Sequence, residues 1–183
     1  MKKIMLAAML VLLSVAINAQ TLAGNWTLNK EFANMLNEAL NQEEMKMEMG
    51  MNFTQSEVKI VINATVGEEA VNMTVQIVIP GTYVKNGDKV TCDFNKEKAD
   101  FDIVDIQSDD EEMKEMLSQP ATKKMMLTMI KGEAKKQMGS QVDTFGVLAD
   151  QFKEFTVKKL TETKLEIECG GTPLLFVKKI TRG

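Results

Sequence analysis

The 183-residue chain contains no histidine. That absence removes the Ser–His–Asp triad, the imidazole general base and the His-based zinc and copper sites together. Aromatic side chains are scarce, with one tryptophan and one tyrosine beside eight phenylalanines. Basic residues are in the minority, 22 against 26 acidic. A net acidic chain with so few rings to stack on bases is poorly suited to nucleic acid, and no nucleic-acid partner is expected. Cysteine occurs only twice, at Cys92 and Cys169, too few for a disulfide-stapled scaffold. No nucleophile stands beside a base, and no pair of carboxylates is placed by spacing alone, so a non-enzymatic protein is expected.

Long apolar runs are also missing, with one exception at the start. Lys2 and Lys3 precede the run Ile4 to Val15, and Ile17-Asn18-Ala19 ends on a small residue. This is the pattern of a secretory signal peptide over residues 1–19, and the run is short for a membrane span. Cleavage after Ala19 puts Gln20 first, with no cysteine there to take a lipid anchor. The expectation is a periplasmic or extracellular protein that is not a lipoprotein and has no transmembrane segment in the mature chain. Loss of Lys2 and Lys3 leaves 20 basic against 26 acidic residues. Residues 20–183 suit a single domain with a full core.

What is present is alternation. Leu22, Gly24, Trp26 and Leu28 share one face of a short strand, and Asn25, Thr27 and Asn29 the other. Gly24 is costly in a strand unless a backbone or a large ring lies over it, and the Trp26 ring is the expected cover. After Asn29, an N-cap type, Phe32, Met35, Leu36, Ala39 and Leu40 recur at helical spacing. The period then returns to two. Met45, Met47, Met49, Met51 and Phe53 alternate with polar residues, followed by Val58 to Val66 and by Val71 to Ile79. Pro80 calls for a bulge or an edge position. Asn86-Gly87 is the strongest hairpin signal in the chain, and Asn95 to Lys98 turn the chain again. From Phe101 to Ile106 both parities are apolar, which predicts a bulge or two-sided burial.

A helical insertion at about 108–140 breaks this meander. Ser108 with Glu111 reads as a capping box. Met113, Met116 and Leu117 form the apolar side of a first helix. Met125, Met126, Met129 and Ile130 form that of a second, with Lys123, Lys124, Lys131, Lys135 and Lys136 outside and Gly139 at its end. Residues 141–151 are compatible with loop or a short helical turn. Three strands follow: Phe155 to Leu160, Leu165 to Cys169, and Leu174 to Ile180. The fold class is therefore mainly β, an up-and-down antiparallel barrel of about eight to ten strands. It carries a helix after the first strand and a helical insertion before the last three. Closure also removes the edges that so many apolar strands would otherwise expose.

Gly24-Asn25-Trp26 in the first strand, the hairpin text Phe155-x-Val157-x-x-Leu160-Thr161-x-x-x-Leu165-x-Ile167, and a basic residue at the last strand (Arg182 or Lys178) together resemble the calycins. That group comprises lipocalins and fatty-acid-binding proteins. More narrowly, the chain looks like the exported lipocalin-like domains common in Bacteroidetes, many of unknown function. The resemblance implies a lipocalin-like barrel sealed at one end by Gly24, Trp26 and Arg182, the basic side chain packing across the indole. A helix between the first two strands is similar to the lid of fatty-acid-binding proteins. The second and third signature motifs of lipocalins are missing, so no ligand set is carried over.

The inward faces define the candidate binding residues. Val58, Ile60, Ile62, Met73, Val75, Ile77, Phe94, Phe101, Phe155 and Val157 line the lumen, and Phe32, Met35, Leu36 and Leu40 cover its mouth. The interior of an eight- to ten-stranded barrel either packs solid or holds one small ligand. The leading reading is an exported protein holding an apolar small molecule in the lumen. The alternative is a filled barrel acting as an envelope structural module or as an inhibitor-like partner of another envelope protein. A remote third reading takes the Met45 to Met51 ladder as a thioether site for Cu(I). No cofactor or resident metal is expected. Cys92 and Cys169 both fall on inward faces, as a disulfide or as two buried thiols.

Overall fold

The computed structural model describes residues 21–31, 33–34, 45–68, 71–138 and 142–179. Nine antiparallel strand segments form one sheet: β1 (Gly24–Leu28), β2 (Met45–Phe53), β3 (Glu57–Glu68), β4 (Val71–Asn86), β5 (Lys89–Phe94), β6 (Asp100–Ser108), β7 (Glu154–Leu160), β8 (Lys164–Cys169) and β9 (Thr172–Lys178). Three helices fill the gap before β7: α1 (Glu111–Ser118), α2 (Pro120–Met138) and α3 (Val142–Gln151). Lys30, Glu31, Ala33 and Asn34 are helical directly after β1. Among the described residues no helix is long and apolar enough to cross a membrane.

The pairing runs β1–β2–β3–β4–β5–β7–β8–β9 and returns to β1, a closed antiparallel ring of eight strand positions. This is the expected architecture, consistent with a calycin-like fold. The ninth segment is accommodated by a broken strand. β4 is 16 residues long. Its second half, from Gly81 to Asn86, pairs with β5, and its first half, from Val71 to Val78, pairs with β6. β5 and β6 therefore occupy one position beside β4, joined by a crank at the 3-10 turn Lys96–Lys98. The turn expected at Asn95 to Lys98 does not build a hairpin between these two segments.

Pro80 sits at the crank for a physical reason. The Asn95 N–H donates to its carbonyl at 2.8 Å. In a strand the N–H and C=O of one residue point to the same neighbour, so the N–H that proline lacks would face the crank, where the ladder needs none. The expected bulge in β6 is present. Thr74 pairs with Asp105 and Val75 with Ile103, which leaves Val104 as the extra, exposed residue.

Among the described residues no strand pairs with the far edge of β6 beyond the crank, and α2 covers it. Leu127 and Ile130 pack against the core. Lys131 pairs with Asp102 at 2.8 Å, and Lys123 pairs with Asp105. A helix laid on an edge strand blocks further pairing there. The orientation of α2 corrects the sequence reading. Lys123 and Lys131 turn toward the barrel, while Met125 and Met129 are 61% and 66% exposed. Helical spacing alone allowed either of two adjacent stripes, and the two aspartates on β6 selected one. In α1, Leu117 is buried and Met116 is exposed. Its N-cap is Asp110, which accepts from Met113 N–H, rather than Ser108. Gly139, the expected helix stop, lies outside the described residues.

Candidate functional site

Trp26 and Lys178 close the barrel base. Trp26 is buried and its Nε1–H donates to the Leu22 carbonyl at 2.7 Å, four residues back along the chain. Lys178, opposite Trp26 in the β1–β9 register, places its ammonium 5.4 Å from the ring centroid. The basic residue over the indole is thus Lys178; Arg182 lies outside the described residues. Gly24 has φ +142°, and a Cβ there would stand 2.8 Å from Lys178 Cε. The Trp26 ring expected over Gly24 is there, its Nε1 3.7 Å from that Cβ, and the lysine stem lies closer still.

The described lumen candidates all face inward. Val58, Ile60, Ile62, Val75, Ile77, Phe94, Phe101, Phe155 and Val157 are buried, and Met73 is half-buried. The four lid residues Phe32, Met35, Leu36 and Leu40 lie outside the described residues. How much room the wall encloses is decided by a pair of rings. β2 and β7 stand four places apart in the ring of eight, on opposite sides. Phe53 on β2 and Phe155 on β7 nevertheless meet edge to face, with centroids 6.4 Å apart. Opposite walls touch at that level, so it holds side chains and no ligand. Tyr83 packs on Phe53 from the other side at 5.1 Å, its hydroxyl donating to the Thr54 carbonyl.

Toward the other end the packing loosens. On β3 and β4, Ile60, Ile62, Ile77 and Ile79 are fully enclosed, whereas Val66 and Met73, on the same inward faces, are half-buried. Met47 on β2, paired with Ala64, is half-buried as well. Opposite them the mouth has a stopper that the sequence did not announce: Ala149 at the end of α3 and Phe152 just after it belong to the core. The chain behind this stopper engages both cysteines, Cys92 through its backbone and Cys169 through its thiol. Cys92 N–H donates to the Lys153 carbonyl at 2.7 Å, and the Cys169 thiol donates to the Gln151 carbonyl. Both cysteines are free and buried. Burial pushes the Cys92 thiol up to about 12, with a smaller contribution from Cys169, and burial also raises Cys169.

Met49 and Met51 lie in the core beside Ile62 and Ile60, with Trp26 on the far side of Met51. Their thioethers serve as packing there. Among the described residues no three His, Cys, Asp or Glu side chains group as a metal-ligand set.

No protein-family model and no curated protein matches the chain.

Proposed function

We propose that this chain is an exported, non-catalytic barrel of the lipocalin-like kind that binds a small apolar molecule in the mouth half of its interior. What carries the reading is the gradient of packing. A closed base is filled by Trp26, Phe53 and Phe155, and above it stand inward apolar residues that the fold leaves half-covered: Met47, Val66 and Met73. Exposed apolar surface inside a concave wall is the usual seat of an apolar ligand. Methionines there adapt their shape to what they bind. Compared with the reading from sequence, the ligand volume shrinks to the upper half of the lumen, and Ile60, Ile77 and Phe155 become its floor rather than its contacts.

The test is a titration of the purified mature chain with the fluorescent apolar probe N-phenyl-1-naphthylamine, alongside native mass spectrometry for a co-purifying compound. Met73→Trp, which fills the mouth, is expected to abolish probe binding while Thr91→Ala leaves it unchanged. Saturable binding that survives Met73→Trp, or no binding at all, defeats this reading. Export is tested separately by N-terminal sequencing of the protein recovered from a periplasmic fraction, where Gln20 is the expected first residue.

One observation favours the second reading, a filled barrel acting through its surface: the contact of Phe53 and Phe155 across the lumen. If the whole interior behaves like that level, the protein works through its outer face as an interaction module, and the probe finds no site.

A further inference from the structure

The outer face of β1 to β4 carries a pattern that core packing does not require. Four Asn-x-Thr triplets occur there: Asn25-Trp26-Thr27, Asn52-Phe53-Thr54, Asn63-Ala64-Thr65 and Asn72-Met73-Thr74. On a strand, positions two apart share a face. Each triplet sends its apolar middle residue inward and its Asn and Thr outward. The register then gathers the amides. Asn25 lies opposite Asn52, and Glu48 opposite Asn63, which in turn lies opposite Gln76.

A groove of about 310 Å³ opens in the middle of this array. Its floor is Gly50, flanked by Thr27 on β1 and Val61 on β3. Any side chain at position 50 would place its Cβ 2.7 Å from the Trp26 carbonyl oxygen. The gap in the row of side chains is therefore imposed by the close approach of β1 and β2. Thr27 to Gly50 is also the last pair of the β1–β2 ladder, so the groove lies where β1 parts from β2.

We infer that this groove binds a neutral saccharide. The Gln76 side-chain N–H donates to Asn63 Oδ1 at 3.0 Å. That bond fixes both amides and leaves the Asn63 NH2 and the Gln76 carbonyl for a ligand. Asn25 and Asn52 offer the same paired donor and acceptor along the other wall. The Glu48 carboxylate on the groove lining is an acceptor for sugar hydroxyls, and Lys179, whose backbone N–H is held by the Asn25 carbonyl at 2.8 Å, brings a donor to the rim. Sugar hydroxyls both donate and accept, and a sugar ring presents C–H groups that Val61 and Thr27 methyls can meet. One carboxylate and one ammonium balance, so the groove selects neither an anionic nor a cationic ligand. An apolar molecule would strand the amides without partners. The volume is at the low end of the range for small-ligand sites, about 300 Å³ upward, which fits one or two sugar units.

The experiment presents the fluorescently labelled mature chain to an array of neutral gluco-, galacto-, manno- and xylo-oligosaccharides beside sialylated and sulfated glycans. Hits are quantified by calorimetry. The expected result is saturable binding of at least one neutral oligosaccharide, weakened about tenfold or more by the double substitution Asn63→Ala with Gln76→Ala. Thr91→Ala, on the outer face of β5, leaves it unchanged. Both substituted amides face outward, so Trp26 fluorescence and the unfolding midpoint are expected to match the parent and report an intact fold. Retention of charged glycans only, no retention, or binding indifferent to the double substitution overturns the inference. N-phenyl-1-naphthylamine binding by the same variant is expected to be unaltered, so the interior and the outer groove are judged separately.

Discussion

Truncating Phe53 to alanine asks whether the lower barrel is solid. The ring is 2% exposed, and its partner across the barrel, Phe155, is 4% exposed. Removing a fully packed phenylalanine costs the transfer free energy of the ring plus a cavity term, together about 3–5 kcal/mol. The contact at 6.4 Å adds a specific edge-to-face component of about 0.5–1.5 kcal/mol, which a double-mutant cycle isolates. Phe53→Ala and Phe155→Ala are each expected to lower stability by that 3–5 kcal/mol. The double substitution should cost less than the sum by about 1 kcal/mol. With a guanidinium slope of about 4–6 kcal/mol/M for a chain of this size, each single change shifts the midpoint by roughly 0.5–1.25 M. Equilibrium unfolding followed by Trp26 fluorescence measures it. Single costs below about 1 kcal/mol with no coupling would mean that the rings line a hollow, and the claim that opposite walls touch would be refuted.

Other consequences are equally direct. With the Cys92 thiol up at about 12 and Cys169 raised as well, iodoacetamide at pH 8 should alkylate Cys92 of the folded chain about tenfold or more slower than in the guanidinium-unfolded chain, and Cys169 more slowly too. Mass spectrometry reads the labelling, and comparable rates would place the thiols in solvent. Raised thiols bind protons more tightly folded than unfolded, so stability from this source is intact below the ordinary thiol value of 9.0 and falls as pH rises toward 12. Gly24→Ala should destabilise by about 1–3 kcal/mol because φ +142° is strained for any side chain and the new Cβ meets the lysine stem. Lys178→Ala is expected to relieve only the steric part. A full rescue in the double variant would show that the backbone angle is not the cause. The Lys123 ammonium beside Asp105 holds that carboxyl below its ordinary value of 3.8, so the α2 anchor is present above that pH and lost as pH falls below it. Asp102→Lys with Asp105→Lys should raise hydrogen exchange in α2 at neutral pH while β1 and β2 stay protected, and unchanged α2 exchange would remove the ion pairs as its anchor.

Much of this could be read from the residues in order. Period-two alternation fixed which side chains face inward, from Val58 to Ile62 and from Val75 to Ile79, because a strand turns every second side chain to the same face. The bulge in β6 was visible as the change of parity between Ile103 and Ile106, and the insertion as a change of period at about Ser108, two residues before the cap that the structure uses. The outer groove was legible only in retrospect. Its Asn-x-Thr triplets are in the sequence, but as ordinary strand formers, and Gly50 gave no sign of being its floor.

The rest needed the closed wall. That Phe53 reaches Phe155 and that Phe152 stops the mouth are facts about residues distant in the chain, and local pattern carries no information on which strands stand opposite; the basic residue over Trp26 was expected only through the calycin resemblance, as Arg182 or Lys178. The face that α2 buries was likewise decided by Asp102 and Asp105 on another strand. Alternation sets the side to which a residue points; only ring closure, with its fixed strand order and register, sets what it meets there.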